Sequence, residues 1–159
     1  MSRRFFFNGC TFSISPDDEC NLTHNIQGEE PNMDKSSNTI NWFEIPTHDI
    51  NRARAFYETI FDMKMQEMPI PGLKMISFPA ETGDGKLHGA LIQHEMYMPS
   101  EHGVAIYLNA NPSIQAVIDR VETAGGKIII PRTQISPEIG YMAFFLDTEG
   151  NRLALHASQ

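Results

Sequence analysis

From residue 39 onward, apolar and polar positions alternate in a way that resolves into short strands and two amphipathic helices. Residues 40–46 (INWFEIP) place Ile40, Trp42 and Glu44 on one face and Asn41, Phe43 and Ile45 on the other, the period-2 signature of a strand. Asp49 is a candidate N-cap, because its short carboxylate reaches the first unpaired amides of a helix. In the predicted helix, Ile50, Ala53, Phe56, Tyr57 and Ile60 recur at helical spacing as a buried stripe. Strands are predicted at residues 64–68, 73–79 and 86–94. Pro69-Ile-Pro71-Gly72 and Thr82-Gly83-Asp84-Gly85 separate them as turns.

The pattern then restarts. Residues 104–109 (VAIYLN) read as a strand, and Asn111-Pro112 as an N-cap with proline at the first helical position. Ile114, Val117, Ile118, Val121 and Ala124 form a second stripe, which Gly125-Gly126 terminates. Strands at 127–131, 141–147 and 152–156 follow, with Thr148-Glu-Gly150-Asn151 as the last turn. Strand, helix and three strands thus occur twice, at an offset of roughly 60–66 positions, which makes the body an internal repeat of two similar units. The fold class is α+β.

Residues 1–37 read differently. The stretch 16–38 is polar and broken by prolines, with only Leu22 and Ile26 as aliphatics. Such a segment buries too little apolar area to offset its ordering entropy, so a poorly structured extension is expected before a domain at 38–158. Both cysteines, Cys10 and Cys20, lie in that extension. Arg3, Arg4 and Phe5 to Phe7 imitate the head of an export signal, but the apolar run stops at Asn8, short of the ~7–15 residues required. Met33 is a second candidate translation start, and the intact mass of the native protein would tell whether residues 1–32 are present.

Composition narrows the function classes. A chain of 159 residues is one domain's worth. Its formal charge of −8 argues against nucleic acid, which demands a basic footprint. Two cysteines are too few for a disulfide scaffold. No stretch approaches the ~18 apolar residues of a membrane span, so no membrane partner and a cytoplasmic location are expected.

Four motifs in order carry a resemblance. Phe43-Glu-Ile-Pro46 with Asp49-Ile-Asn-Arg-Ala-Arg-Ala-Phe-Tyr57-Glu, then Gly89-Ala-Leu91, then Val121-Glu-Thr-Ala-Gly-Gly-Lys127, and finally Phe145-Leu-Asp147-Thr-Glu-Gly150-Asn-Arg-Leu-Ala-Leu155 cover residues 39–157. They resemble the vicinal oxygen chelate superfamily, which includes glyoxalase I, bleomycin-resistance proteins and extradiol dioxygenases, and in particular its small bacterial members. The resemblance implies tandem βαβββ modules forming two curved mixed sheets around a cup. It also implies a homodimer, since relatives often pair their cups from two chains.

Metal-using members carry one ligand on the first and one on the last strand of each module, holding a divalent ion that acts as a Lewis acid. Carried over, those positions fall on Trp42, on Gly103 or Val104, on Ala154, and near His88, the single donor among them. One imidazole does not hold a catalytic ion, so no metal and no other cofactor is expected. A remodelled divalent-metal site from Glu44, His88 and His156 is the remaining metal option.

Strand alternation puts Glu44 on the face of Trp42, Tyr107 on that of Gly103 and Ala105, and His156 on that of Ala154. Trp42, Glu44, Tyr107 and His156 are the candidate pocket, an aromatic platform with a few polar handles. Each has a plainer reading: Trp42 as core, Glu44 as a cross-strand ion pair, His156 as half-exposed surface. His48, His94 and His102 are expected at the surface, and Met63, Met65, Met68, Met75, Met96 and Met98 as core filler. Three functions follow. The first is a metal-free protein binding a small organic molecule in the cup. The second is a lyase or isomerase related to lactoylglutathione lyase, with Glu44 as base and His88 or His156 helping to carry charge. The third is a structural module whose cup is filled by its own side chains.

Overall fold

The computed structural model describes residues 38–81 and 86–159. The expectations for residues 1–37, with both cysteines, and for the 82–85 turn lie outside the described residues. The elements are β1 (Trp42–Pro46), α1 (Ile50–Phe61), β2 (Gln66–Met68), β3 (Lys74–Ser77), β4 (His88–Gln93), β5 (Tyr107–Asn109), α2 (Ile114–Val121), β6 (Lys127–Ser136), β7 (Gly140–Leu146) and β8 (Arg152–Ala157). Two four-stranded mixed sheets result, ordered β1-β4-β3-β2 and β5-β8-β7-β6. In each, the first strand runs parallel to the last and the other pairs are antiparallel. The repeat read from the sequence is therefore a repeat of topology.

Each helix covers one face of its own sheet. A single core joins Ile45 and Leu91 of the first sheet, Phe56 and Val121 of the helices, and Phe145 and Leu155 of the second sheet. Full burial of such side chains contributes about 1.5–3 kcal/mol each. Met65 and Met75 are buried and Met63 and Met68 partly so, whereas Met96 and Met98 stand exposed, which corrects the core reading for those two.

The first cap is as expected: Asp49 Oδ1 accepts from the Asn51 and Arg52 amides at 3.0 and 3.1 Å. The second differs. Ser113, not Asn111, caps α2, its Oγ accepting from the Ala116 amide. Asn111 is engaged elsewhere, because its Oδ1 accepts from the backbone amide and hydroxyl of Ser158. Strand β5 begins at Tyr107 rather than at 104, after Gly103 at φ +119°. Strand β6 runs five residues beyond the predicted end because its outer half pairs with β7, while exposed side chains there leave no alternation to read. Pro131 is tolerated since β6 is an edge strand and one of its sides needs no donor.

The last turn, read from the sequence only as a turn, builds a polar clasp between the modules. Asp147 accepts from the Tyr57 hydroxyl at 2.8 Å, from the Asn151 side chain at 2.9 Å, and from the Glu149 and Asn151 amides. Glu149 accepts from the His48 and Asp49 amides and pairs with Arg52 through Nε at 2.8 Å and Nη2 at 3.0 Å. Burial by itself raises the Glu149 pKa, but the Arg52 contact and the two amides prevail and lower it.

Glu58 at the end of α1 is held down to a pKa of about 2 by the Met65 amide, Arg54 and Lys64. A depressed carboxyl pKa adds stability above the unfolded value, lost as pH falls through the folded one. Melting temperatures of the parent and Glu58→Gln are therefore expected to differ at neutral pH and to converge between pH 4.5 and about 2. No described helix is long and apolar enough to cross a membrane.

Candidate functional site

Alternation along β1 sends Phe43 and Ile45 into the core and Trp42 and Glu44 to the face away from the helices. The Trp42 indole N–H donates to Glu44 Oε1 at 3.2 Å. Tyr97, from the connector between the modules, hydrogen-bonds the same carboxylate, and this contact together with the negative charge raises the Tyr97 hydroxyl pKa. His88 pairs with Trp42 across the β1–β4 ladder, and Ala90 pairs with Glu44. Behind them Met75, Ala90 and Ile92 form a small cluster of their own, packed by Met68, Leu73 and Tyr97.

The corresponding face of the second sheet carries Tyr107, Ala154 and Phe144 in one row. The Tyr107 ring meets Phe144 edge-on at 5.6 Å, and the Arg152 guanidinium stands 5.8 Å over Phe144. His156 shares this face, but its Nε2 donates to the Ile139 carbonyl at 2.9 Å, which ties the ring to the β6–β7 turn.

The four candidate pocket residues are thus split two and two between the sheets. Glu44 lines a cavity of about 250 Å³ with Met98, Ser100, His102, Val104 and Arg152. Tyr107 and His88 line another of about 590 Å³, with Phe43, Phe61, Ile106 and Asn109. Neither cavity holds all four. Tyr97, Met98, Phe144 and Arg152 were not singled out for the site by their sequence positions. Arg152 had a legible signal, lying two residues before Ala154 on one strand face. Tyr97 had none, because it sits in a connector without periodicity.

These sheets match the model of the Glyoxalase/Bleomycin resistance protein/Dioxygenase superfamily over residues 39–155. The chain belongs to that superfamily. A glyoxylase-like domain-containing protein of Didymella fabae is 33% identical over 119 residues, covering 73% of this chain and 91% of the relative. The anthracycline biosynthesis protein DauV of Streptomyces sp. (strain C5) is 28% identical over 127 residues, and the match spans 72% of this chain but 45% of that longer protein. Among solved structures, the hypothetical protein SA1046 from S. aureus shares the fold at a TM-score of 0.55 and 24% identity, covering 73% of this chain and 94% of that one.

The ladder shows which residues of the two modules correspond. The Thr47 amide donates to the Ile92 carbonyl as the Ala110 amide donates to the His156 carbonyl, which aligns the modules and makes the pair Glu44 and Ala90 equivalent to the pair Tyr107 and Ala154. Counting back two residues equates Trp42 with Ala105, not with Gly103 or Val104. Likewise Ala90, not His88, is the counterpart of Ala154. The positions that resemblance assigns to metal ligands read Trp42, Ala90, Ala105 and Ala154, none of which donates to a metal. Glu44, His88 and His156 do not replace them. Among the described residues no three His, Cys, Asp or Glu come together as a metal-holding group. The residues present do not fit the divalent ion.

Proposed function

We propose that this superfamily member is a metal-free binding protein for a small organic molecule, held against the sheet faces of Trp42, Glu44 and Tyr107. The observation that carries the reading is the substitution of all four ligand positions by one indole and three methyl groups, which exchanges donors for apolar space. Trp42 and Tyr107 are 39% and 48% exposed. An exposed ring beside the Glu44 carboxylate on one sheet and another exposed ring on the second are what pocket walls need and what a self-filled cup would lack. The lyase reading asks Glu44 to act with a histidine. His156 is engaged with Ile139 and belongs to the other sheet, and His88 lines the cavity of Tyr107 rather than that of Glu44, which favours binding over that alternative.

The active form in this proposal is a cytoplasmic homodimer. Strands β1, β2, β5 and β6 are sheet edges, and Ile129, Ile130, Ile135 and Ile139 expose apolar surface along the β6–β7 hairpin. Sedimentation is expected to give twice the 17.9 kDa chain mass. The decisive experiment is a thermal-shift screen of the full chain with divalent ions and with small aromatic compounds. Compounds are expected to raise the melting temperature, and Zn, Ni and Mn ions are not. Tyr107→Ala is expected to weaken binding by about 1.4 kcal/mol, roughly tenfold, without lowering the melting temperature of the free protein. A stoichiometric metal content in protein purified without an affinity tag would overturn the proposal.

A further inference from the structure

The two modules differ in what lies over their open sheet faces, and the difference bears on the ligand, an inference that rests on the binding reading above. Met75 pairs with Ile92 on the first sheet as Met142 pairs with His156 on the second, at equivalent positions of the repeat. Met75 and Ile92 are 6% and 0% exposed, whereas Met142 and His156 are half-buried. The first pair is covered by Tyr97 from the connector, packed there with Leu73 and Met68. The Tyr97 hydroxyl donates to the Glu44 carboxylate of the same face. The first cup thus already holds a phenol, with its ring on apolar side chains and its hydroxyl on an acceptor, and that phenol belongs to the chain itself.

The segment that carries Tyr97 is fastened at its two ends. At one end the His94 carbonyl accepts from the Tyr97 amide at 3.0 Å, and His94 Nδ1 from the Met96 amide at 3.3 Å. At the other the Ser100 amide donates to Asn151 Oδ1 at 3.1 Å, and the Ser100 carbonyl accepts from the Arg152 amide at 3.2 Å. Among the described residues, no backbone hydrogen bond joins 95–99 to either sheet, and Met96 and Met98 stand exposed. The Tyr97 side chain is therefore what holds the middle of the segment down. It also stands between two cavities. Tyr97 lines one of about 610 Å³ with Leu73, Gln93 and His94. Its partner Glu44 lines the one of about 250 Å³, and Met98 lines both. Swinging Tyr97 out would join the two at the cost of one ring contact and one hydrogen bond to a carboxylate.

We propose that Tyr97 is the gate of this site and that the ligand carries a phenol, which takes over the ring contacts of Tyr97 and donates to Glu44 in its place. A phenol regains both contacts that opening loses, whereas a plain ring regains only the apolar one. The test is calorimetric titration of the full-length protein with p-cresol, which is the tyrosine side chain, and with toluene, which lacks the hydroxyl. Tyr97→Phe keeps the ring and removes the hydrogen bond that holds the gate shut. It is expected to bind p-cresol about tenfold more tightly than the parent does. Tyr97→Ala is expected to bind p-cresol more tightly still, and to prefer it over toluene by about tenfold. Tighter binding in Tyr97→Ala but not in Tyr97→Phe would make Tyr97 a fixed filler and overturn the gate. Equal affinity of Tyr97→Ala for the two probes would overturn the phenol. No binding by either variant, while the aromatic panel still raises the melting temperature of the parent, overturns this inference and leaves the binding reading standing. Silence in both assays removes both.

Discussion

Asp147→Ala is expected to cost about 3–5 kcal/mol and to lower the melting temperature by about 10 °C or more. The carboxylate is the common acceptor of four donors from three residues. Alanine leaves the Tyr57 hydroxyl, fully buried in α1, with no partner, and frees the Glu149 and Asn151 amides that shape the turn. Asn151 would lose its hold on the turn while its side chain still donates to the Pro46 carbonyl at the end of β1, so the damage reaches both modules. Asp147→Asn is expected to fall in between, since its NH2 cannot accept from the Tyr57 hydroxyl. Burial raises the Asp147 pKa against the pull of these hydrogen bonds. Its own contribution is therefore largest below its unfolded value and declines as pH rises through the folded one, opposite in sign to those of Glu149 and Glu58. Equilibrium denaturation of the parent and both variants across pH checks the order and the sign.

Phe56→Ala is the second large effect, expected at about 3–5 kcal/mol. The ring is buried, meets Tyr57 edge-on at 5.0 Å and lies 6.0 Å from Phe145 of the second sheet. It also packs so closely on Gly126 that a Cβ there would come within 2.7 Å of it, which leaves little room for neighbours to fill the void. A domain of this size has roughly 5–15 kcal/mol in all, so either substitution removes a large share. The two should not add, because Phe56 and Tyr57 are in contact and serve one junction. A double-mutant cycle in urea gives the coupling, and strict additivity would refute a shared junction.

The contrast between these stability sites and the candidate pocket explains what was legible in the chain. Stripes such as Ile50, Ala53, Phe56, Tyr57 and Ile60 were readable because one buried face imposes one period. The Asp49 cap and the Gly125 stop were readable because few residue types accept those conformations. Asn111 misled for the same reason in reverse: it has a capping side chain, but a partner more than forty residues away claims it.

The sequence by itself determined the repeat, the fold class and the superfamily, since each depends on local periodicity and on motifs that survive in order. Only the tertiary structure decided which residues of the two modules correspond, because a ladder register is a pairing between distant segments and a shift of two residues exchanges His88 for Ala90. It also decided that Tyr97 and Met98, from an aperiodic connector, flank Glu44, and that His156 is tied to its own hairpin. Which side chains meet Glu44 is a property of what surrounds it in space, so no window of sequence around Glu44 contains it.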